Sequence, residues 1–374
     1  MEPSWLLGLA AIMAVVATAR LELLARHPLL LLLGLLAGQA VSGFGWQTGV
    51  TAAGLAKGIY FLLLPWLMVQ GALHISRRRL SRLWPWVVIP SSLVFAVTAM
   101  TVAMVLYLSI DHPGFPLLSA LIAGVLLAAA DPSWSSLLIP HKRGLLVLLE
   151  GEGLWGEMLA VVGLMLLIAA GSLSQLQPLS LSWDFIRLML ASLILAWCAH
   201  WLMRPLLARF PRLLLPLSYL LFWGAEWGLG LSGVVTAAVA VLLLSPRIDA
   251  GSRDFITEGA RLWADVLVLV LGFSLTLSMF TERYWVMAMA IGACLGARVL
   301  VLGLIALIPS LPLATESRGL WWRLPVHGPV TLALVLSLPV SVTAWWTIQS
   351  ACYGVILFEL LIQRPWVARG LPFR

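Results

Sequence analysis

Long apolar runs separated by short polar loops extend through the whole sequence. The runs are rich in leucine and about 20 residues long, which is the length an α-helix needs to cross a bilayer. They lack the alternation expected of membrane β-strands. The pattern predicts an all-α, polytopic membrane protein with about thirteen transmembrane helices, near residues 4–19, 28–44, 50–73, 85–109, 115–137, 150–170, 185–204, 213–228, 230–246, 260–280, 284–308, 325–344 and 346–363.

The loops between these runs alternate between basic and non-basic, which supports the count independently. The basic loops contain Arg20/Arg26, residues 74–82, Lys142/Arg143, residues 204–212, Arg247/Arg253, Arg318/Arg323 and residues 364–374. The loops near Ser42, Asp111, Ser174, Gly230, Thr281 and Thr347 are poor in Lys and Arg. Because basic loops stay in the cytoplasm, we expect the N-terminus outside and the C-terminus in the cytoplasm.

Composition places the protein in a bilayer, because 61% of the residues are hydrophobic and 10% are charged, against about 25% charged in soluble domains. We expect a multi-pass protein of the cell (inner or plasma) membrane. The net charge of +7 follows from the topogenic loops and does not indicate a nucleic-acid partner. Since only about ten residues follow the last run, we expect one membrane transport domain without a cytoplasmic regulatory domain.

The arrangement of six runs, one linking run and six further runs is compatible with an inverted repeat. The first repeat would be residues 1–170, the linker helix 171–212 and the second repeat 213–374. The fifth run of each half contains a proline break, in AAADPSW (Ala128–Trp134) and LPVHGPV (Leu324–Val330). Proline removes a backbone donor, and broken helices in a bilayer line cavities near the midplane. The pattern favours a secondary transporter with crossed, interrupted helices.

Ionisable residues inside the runs are candidates for function, because a charged group at membrane depth costs several kcal/mol (~2.5–3.5 on insertion scales). Asp131 lies at the first break, where it can cap the helix or bind an ion, and the two roles are compatible. Glu150 and Glu152 are expected at the cytoplasmic interface, at the entry of the sixth helix. Glu157 lies two turns deeper, on nearly the same face as Glu150.

Partners for these acids are suggested by the sequence. Arg298, deep in the eleventh run, is the expected partner of Glu157, and a purely structural ion pair is the alternative. Asp265 is expected to pair with Arg261, one turn earlier on the same helix. His327, at the second break, either titrates near neutral pH or donates a fixed hydrogen bond to the broken helix.

These motifs resemble the monovalent cation/proton antiporter superfamily, in its sodium/proton exchanger (NhaP-like) branch. In that branch a Thr-Asp-Pro break precedes a basic loop and a Glu-Gly-Glu-Ser-Leu-x-Asn-Asp element. Here the series reads AADPSW, PHKRG and EGEGLWGE. HGPVTLALVLSLP (His327–Pro339) is similar to a later motif that begins Arg-Gly-Ala in the branch. The resemblance extends over most of the chain from about Pro65 onward.

The resemblance implies a fold of thirteen helices in two inverted six-helix units, a homodimer, and alternating access. It assigns ion and proton binding to Glu157 and Asp131, which are also the expected ligands of a monovalent cation. Arg298, His327, Glu152, Gly156 and Ala130 fall on supporting positions. The departures from the branch are Gly156 for Asn, Glu157 for Asp, Ala130 for Thr, His327 for Arg and Gln70 for Glu.

The function predicted on this basis is exchange of a monovalent cation, Na⁺ first and K⁺ or Li⁺ next, for protons. No cofactor is expected beyond the transported ions. The departures leave one alternative open, a transport-inactive or altered-specificity homologue that acts as a sensor or as a membrane subunit with a partner. A carrier for an organic anion bound by Arg298 and His327 is a further alternative. An enzyme is not predicted, because neither metal-ligand spacing nor a nucleophile motif is present.

Overall fold

The structure is a computed structural model that describes residues 4–45, 49, 51–110, 114–172 and 178–370. Every regular element in those ranges is helical. This follows from the apolar runs, since in lipid each backbone polar group must be hydrogen-bonded within the protein and a helix does so locally. The prediction of an all-α membrane protein is confirmed.

The first half of the chain forms eight helices, and a ninth follows. They are α1 (Ser4–Thr18), α2 (Leu23–Gly43), α3 (Ala52–Gly58), α4 (Leu64–His74), α5 (Arg77–Ser109), α6 (Leu117–Ala128), α7 (Ser133–Ser136), α8 (Arg143–Ala170) and α9 (Pro178–Arg209). The long helix α8 ends at Gly171, whose φ of 64° suits a glycine at a helix C-terminus. Helix α9 covers most of the predicted linker, and the division into repeats stays a prediction.

The second half forms nine further helices. They are α10 (Leu214–Trp223), α11 (Gly233–Leu244), α12 (Ala250–Ser274), α13 (Leu277–Glu282), α14 (Tyr284–Ala306), α15 (Thr315–Trp321), α16 (Pro329–Leu336), α17 (Trp345–Phe358) and α18 (Arg364–Gly370). Single π-helical turns follow α3, α10 and α17, at Ile59–Leu63, Gly224–Gly228 and Glu359–Gln363. Such turns are frequent at functional sites.

Each predicted run coincides with helix, but several predicted boundaries need correction. Helix α5 begins at Arg77 rather than at residue 85, and α8 begins at Arg143 rather than at residue 150. Helices α9 and α12 likewise begin at Pro178 and Ala250, before residues 185 and 260. The basic loops therefore continue directly into helix. Within the described ranges, eight helical stretches are long and apolar enough to cross a membrane, so the count of thirteen stays a prediction. The predicted loop positions Asp111 and Ser174 lie outside the described residues.

Close helix packing surrounds the two breaks. Helix α5 packs against α6, α8 and α14, and α17 packs against α6 and α14. Helix α2 lies along α12, where a Cβ at Gly272 would overlap the Leu31 carbonyl group of α2. Glycine permits this approach of two backbones, as it commonly does between membrane helices. The result is a buried centre in which the breaks of both halves meet.

Candidate ion-binding site

The two proline breaks lie against each other. The first extends from the end of α6 at Ala128 to the start of α7 at Ser133, and the second precedes α16, which starts at Pro329. Some backbone groups that lack a helical partner at one break form hydrogen bonds with the other break. The Asp131 N–H donates to the Val326 carbonyl at 2.5 Å, and the Thr331 hydroxyl donates to the Ala129 carbonyl at 2.7 Å. Each break therefore completes the hydrogen bonding of the other, as buried backbone requires.

Asp131 connects both breaks through its carboxylate. One oxygen accepts hydrogen bonds from the Ser133 N–H at 3.0 Å and from the Ser133 hydroxyl. The other oxygen accepts from the Val330 N–H, at the start of α16, at 2.6 Å. Asp131 thus caps the short helices α7 and α16, which is the structural role that its Asp-Pro sequence predicted. Gly328 lies directly on it, because an added Cβ would be 2.6 Å from the carboxylate.

Glu157 lies on α8 and lines a cavity of about 130 Å³, together with both polar and apolar side chains. One water needs roughly 10–15 Å³ of such space, so the cavity has room for several waters or a hydrated cation. Its lining includes Asp131 and Glu150, and its rim includes His74 and Arg261, which are exposed. The shared lining confirms the prediction that Glu150 and Glu157 lie on one face of the helix.

The Glu157 carboxylate differs from that of Asp131 in its partners. Among the described residues, none hydrogen-bonds to Glu157, although the side chain is only 5% exposed. Asp131 is close enough to repel it electrostatically. A buried carboxylate without a fixed protein partner, beside a cavity with room for water, can exchange one bound cation or proton for another.

The predicted pairing of Arg298 with Glu157 is wrong. Arg298 on α14 binds both carboxylate oxygens of Glu152, at 2.5 and 3.4 Å. The Trp321 indole N–H also donates to Glu152, at 2.9 Å. Glu152 is five residues before Glu157, so at about 100° per residue it lies on a different face of α8. The expectation that Glu152 lies at the interface is wrong as well, because it is buried.

Helix α8 also passes the first break at two glycines. A Cβ at Gly153 would lie 2.5 Å from the Pro132 ring, so the small residue lets α8 pack against the break. At Gly156, an added Cβ would meet the Ala130 nitrogen at an ordinary 3.4 Å. Gly156 is thus not required by backbone crowding. At the same level, Gln70 lines the cavity and contacts His74 at 3.2 Å.

Asp265 pairs differently from the prediction. Its partners are Arg26 and His27 of α2, not Arg261 of its own helix. His27 in turn accepts a hydrogen bond from Arg364 at 3.0 Å, and both His27 and Arg364 contact the Trp134 ring. The i, i+4 rule that favoured Arg261 applies to exposed helix faces, whereas Asp265 is buried against α2.

Glu359 is a buried acid that sequence reasoning missed. It lies just after α17, where it accepts hydrogen bonds from the backbone N–H groups of Val326 and His327, each at 2.8 Å. The His327 ring bonds to Glu359 at 2.7 Å and to the Leu127 carbonyl at 2.9 Å. Of the two predicted roles for His327, the fixed hydrogen bond to a broken helix is the one observed. A carboxylate inside the last apolar run was the signal that would have found Glu359.

Oxygen atoms supply the strong cation ligands around Glu157 in the described part of the cavity. In the part of the chain that the structure describes, no group of three or more His, Cys, Asp or Glu side chains is arranged to hold a metal ion. A monovalent cation at Glu157 would therefore need further oxygens, from Asp131, the Ser133 hydroxyl, backbone carbonyls or water. The site suits a weakly held, exchangeable ion better than a permanently bound metal.

Broken helices that cross beside a buried carboxylate are the architecture of a secondary transporter. The chain belongs to the family described as sodium/hydrogen exchanger, transmembrane, which it matches over residues 7–370.

Curated relatives agree with this family. The chain is 27% identical over 272 residues to the Na(+)/H(+) antiporter NhaG of Bacillus atrophaeus, covering 66% of this chain and 51% of that protein. It is 26% identical over 332 residues to the Na(+)/H(+) antiporter ApNhaP of Aphanothece halophytica, covering 81% of this chain and 62% of the relative. The chain thus spans between half and two thirds of the length of these two relatives.

The fold is shared with a solved structure. The sodium proton antiporter MjNhaP1 from Methanocaldococcus jannaschii at pH 8 superposes with a TM-score of 0.76 at 19% identity. The match covers 99% of this chain and 98% of the other. It extends the agreement with the exchanger fold over nearly the whole chain.

Proposed function

We propose that the protein exchanges a monovalent cation, Na⁺ first and K⁺ or Li⁺ next, for protons by alternating access. The observation that carries the proposal is the buried Glu157 carboxylate, which lines the cavity with Asp131 and Glu150 and has no hydrogen-bond partner among the described residues. One carboxylate cannot bind a proton and a cation well at the same time, and this competition couples the two fluxes. Family membership and the names of the relatives support the same reaction.

We assign the primary ion- and proton-binding role to Glu157 and the second to Asp131. The hydrogen bonds of Asp131 to Ser133 and Val330 fix its carboxylate, so it offers a preorganised oxygen. Arg298 is neutralised by Glu152 and leaves the Glu157 charge for the ion. Gly156 and Ala130 add no side-chain ligand, so water and backbone oxygens complete the coordination.

The test is dissipation of a pH gradient by added Na⁺, K⁺ or Li⁺ in proteoliposomes. Wild-type protein is expected to collapse the gradient, and Glu157→Gln, which cannot bind a cation as a carboxylate, to reduce the rate at least about 100-fold. The matched control is Glu316→Gln, at an exposed position, with the wild-type rate. Equal dissipation by wild type and Glu157→Gln would refute the assignment, and no cation-dependent flux in the wild type would favour the transport-inactive alternative.

The arrangement in the membrane is part of the same proposal. The N-terminus lies outside and the C-terminus in the cytoplasm of a cell (inner or plasma) membrane. The cavity at Glu157 then opens inward, beside His74 at the end of α4 and Arg261 on α12. Two inverted repeats, residues 1–170 and 213–374, flank the linker at 171–212. We also propose a homodimer, on the family resemblance, which mass measurement in mild detergent tests by giving either twice or once the chain mass.

A further inference from the structure

A second buried ionisable pair lies at the crossing, apart from the ion-binding carboxylates. His327 precedes α16 and Glu359 follows α17, and each is 5% exposed. Neither lines the cavity at Glu157. Together with Arg298 they line a smaller cavity of about 20 Å³. The proposed exchange at Glu157 makes no use of this pair, so its purpose needs a separate explanation.

The hydrogen bonds of the pair fix how many protons it holds. The Leu127 carbonyl can only accept, so the His327 Nε2 atom at 2.9 Å must carry a hydrogen. The His327 Nδ1 atom and the Glu359 Oε1 atom are 2.7 Å apart. An unprotonated ring nitrogen and a carboxylate oxygen are both acceptors, so one more hydrogen must lie between them. The pair therefore holds one dissociable proton and is neutral overall.

Two short connections run from the pair to Asp131. Glu359 accepts from the Val326 N–H, and the carbonyl of that same Val326 accepts from the Asp131 N–H at 2.5 Å. On the other side, His327 donates to Leu127, in the last turn of α6 four residues before Asp131. The pair thus fixes the end of α6, which precedes Asp131, and the Val326 peptide group, which binds the Asp131 N–H.

Other charged and titratable groups lie near the pair, but none of them supplies the hydrogen between His327 and Glu359. They are Asp131 at the first break, Arg298 with its partner Glu152, Cys294 on α14, and Arg364 with His27 beyond the same π-helical turn. The charge of Arg298 is neutralised by Glu152, and Arg364 donates a hydrogen bond to His27. The nearest donor that can serve the Glu359 carboxylate besides the backbone is therefore the His327 ring.

We propose that His327 and Glu359 are positioning residues that retain one proton throughout the transport cycle and thereby hold Asp131 in place for ion binding. The role rests on the proposed function in so far as Asp131 binds the exchanged ion. The retained proton is distinct from the exchanged one. Loss of that proton would set two acceptors against each other at 2.7 Å and release the segment before α16.

The variant Glu359→Gln separates the proton from the hydrogen bonds. The amide oxygen can accept from both backbone N–H groups and the amide nitrogen can donate to His327, so every bond is retained without a dissociable proton. Glu359→Ala removes three hydrogen bonds, and Glu316→Gln and Glu316→Ala are the matched exposed controls. These variants are compared with the wild type in detergent by tryptophan fluorescence on heating.

We expect the wild type and the Glu316 variants to lose thermal stability when the pH is raised from neutral into the alkaline range, as the pair gives up its proton. Glu359→Gln should lose at least ~3 °C less over the same range. Glu359→Ala should melt below the wild type at the lower pH. Parallel curves for the wild type and Glu359→Gln across the whole range would overturn the proposal.

Transport measurements separate this proposal from the proposed function. Glu359→Gln should exchange within about twofold of the wild-type rate near pH 7, and its rate should persist at alkaline pH where the wild-type rate falls. A loss of more than about tenfold in Glu359→Gln near pH 7 would overturn the positioning role. If the wild type shows no cation-coupled proton flux, the proposed function fails, while the melting comparison still decides whether the pair holds a proton.

Discussion

The three acids in the middle of α8 have different partners although only seven residues separate the first from the last. Glu150 and Glu157 line the cavity, whereas Glu152 points away from it to Arg298. Their different partners follow from helix geometry. Glu152 and Glu157 are five residues apart, so their side chains point in directions that differ by more than a third of a turn. The proposed ion site and the structural ion pair thus lie on two faces of one helix.

The Glu152–Arg298 pair gives a first prediction. Removing one member of a buried pair leaves an uncompensated charge, which costs about 3–5 kcal/mol. Glu152→Ala should therefore lower the melting temperature by roughly 5–15 °C, measured by tryptophan fluorescence in detergent. Glu316→Ala, at an exposed position, is the control and should melt like the wild type. An unchanged melting temperature for Glu152→Ala would show that the pair does not stabilise the fold.

The contact of Gly328 with Asp131 gives a second prediction. A Cβ at position 328 would lie 2.6 Å from both the backbone oxygen and a carboxylate oxygen of Asp131, so the backbone must shift. Gly328→Ala should reduce cation-driven proton flux at least about tenfold. Gly319→Ala, where a Cβ meets open space, should retain flux. Wild-type flux in Gly328→Ala would mean that the geometry of Asp131 is not critical.

At the residue scale, sequence reasoning identified the two carboxylates that line the cavity but not all of the partners of the buried charges. Glu157 and Asp131 were predicted from an intramembrane carboxylate and a Pro break, and both lie at the cavity. The partner of Arg298 could not be predicted, because three acids lie within two turns and only tertiary packing selects Glu152. Glu359 was missed because it lies in an uninterrupted apolar run without a neighbouring motif.

At the scale of elements, the apolar runs predicted the helices and the prolines predicted the breaks. The helix ends were predicted less accurately, because α5 and α8 extend through basic residues beyond the apolar runs. Hydropathy cannot detect such extensions, because a helix that leaves the bilayer keeps its hydrogen bonds in water. The crossing of the two breaks depends on contacts more than 190 residues apart along the chain, which no local pattern encodes.

The approach of α2 to α12 gives a third prediction. A Cβ at Gly34 would lie 2.9 Å from the Phe273 nitrogen of α12, and backbone atoms cannot yield as a side chain can. Gly34→Leu should therefore separate the helices and lower the melting temperature by several degrees, about 1–3 kcal/mol or more by overpacking. Gly292→Leu, on α14 with open space at its Cβ, is the control. Equal melting of both variants would contradict the close packing of α2 and α12.

At the scale of the whole molecule, the proposed orientation rests on the distribution of charge between the loops. With the native cysteines replaced, a single cysteine at Arg79, in the basic first turn of α5, should be protected from an impermeant maleimide in intact cells. A cysteine at Thr281, on the short helix α13, should be labelled. Both positions are exposed on the protein surface, so a difference in labelling shows on which side of the membrane each lies. The reverse labelling pattern would invert the proposed topology and place the cavity at Glu157 outside.

The central claim is that one buried carboxylate couples cation and proton movement. Uptake of ²²Na⁺ into proteoliposomes with an acidic lumen, with lumenal pH recorded in the same vesicles, tests it most directly. Wild-type protein should accumulate Na⁺ as the lumen becomes alkaline, with both fluxes lost together in Glu157→Gln. Sodium uptake without a change in lumenal pH, or undiminished coupled uptake in Glu157→Gln, would contradict the account.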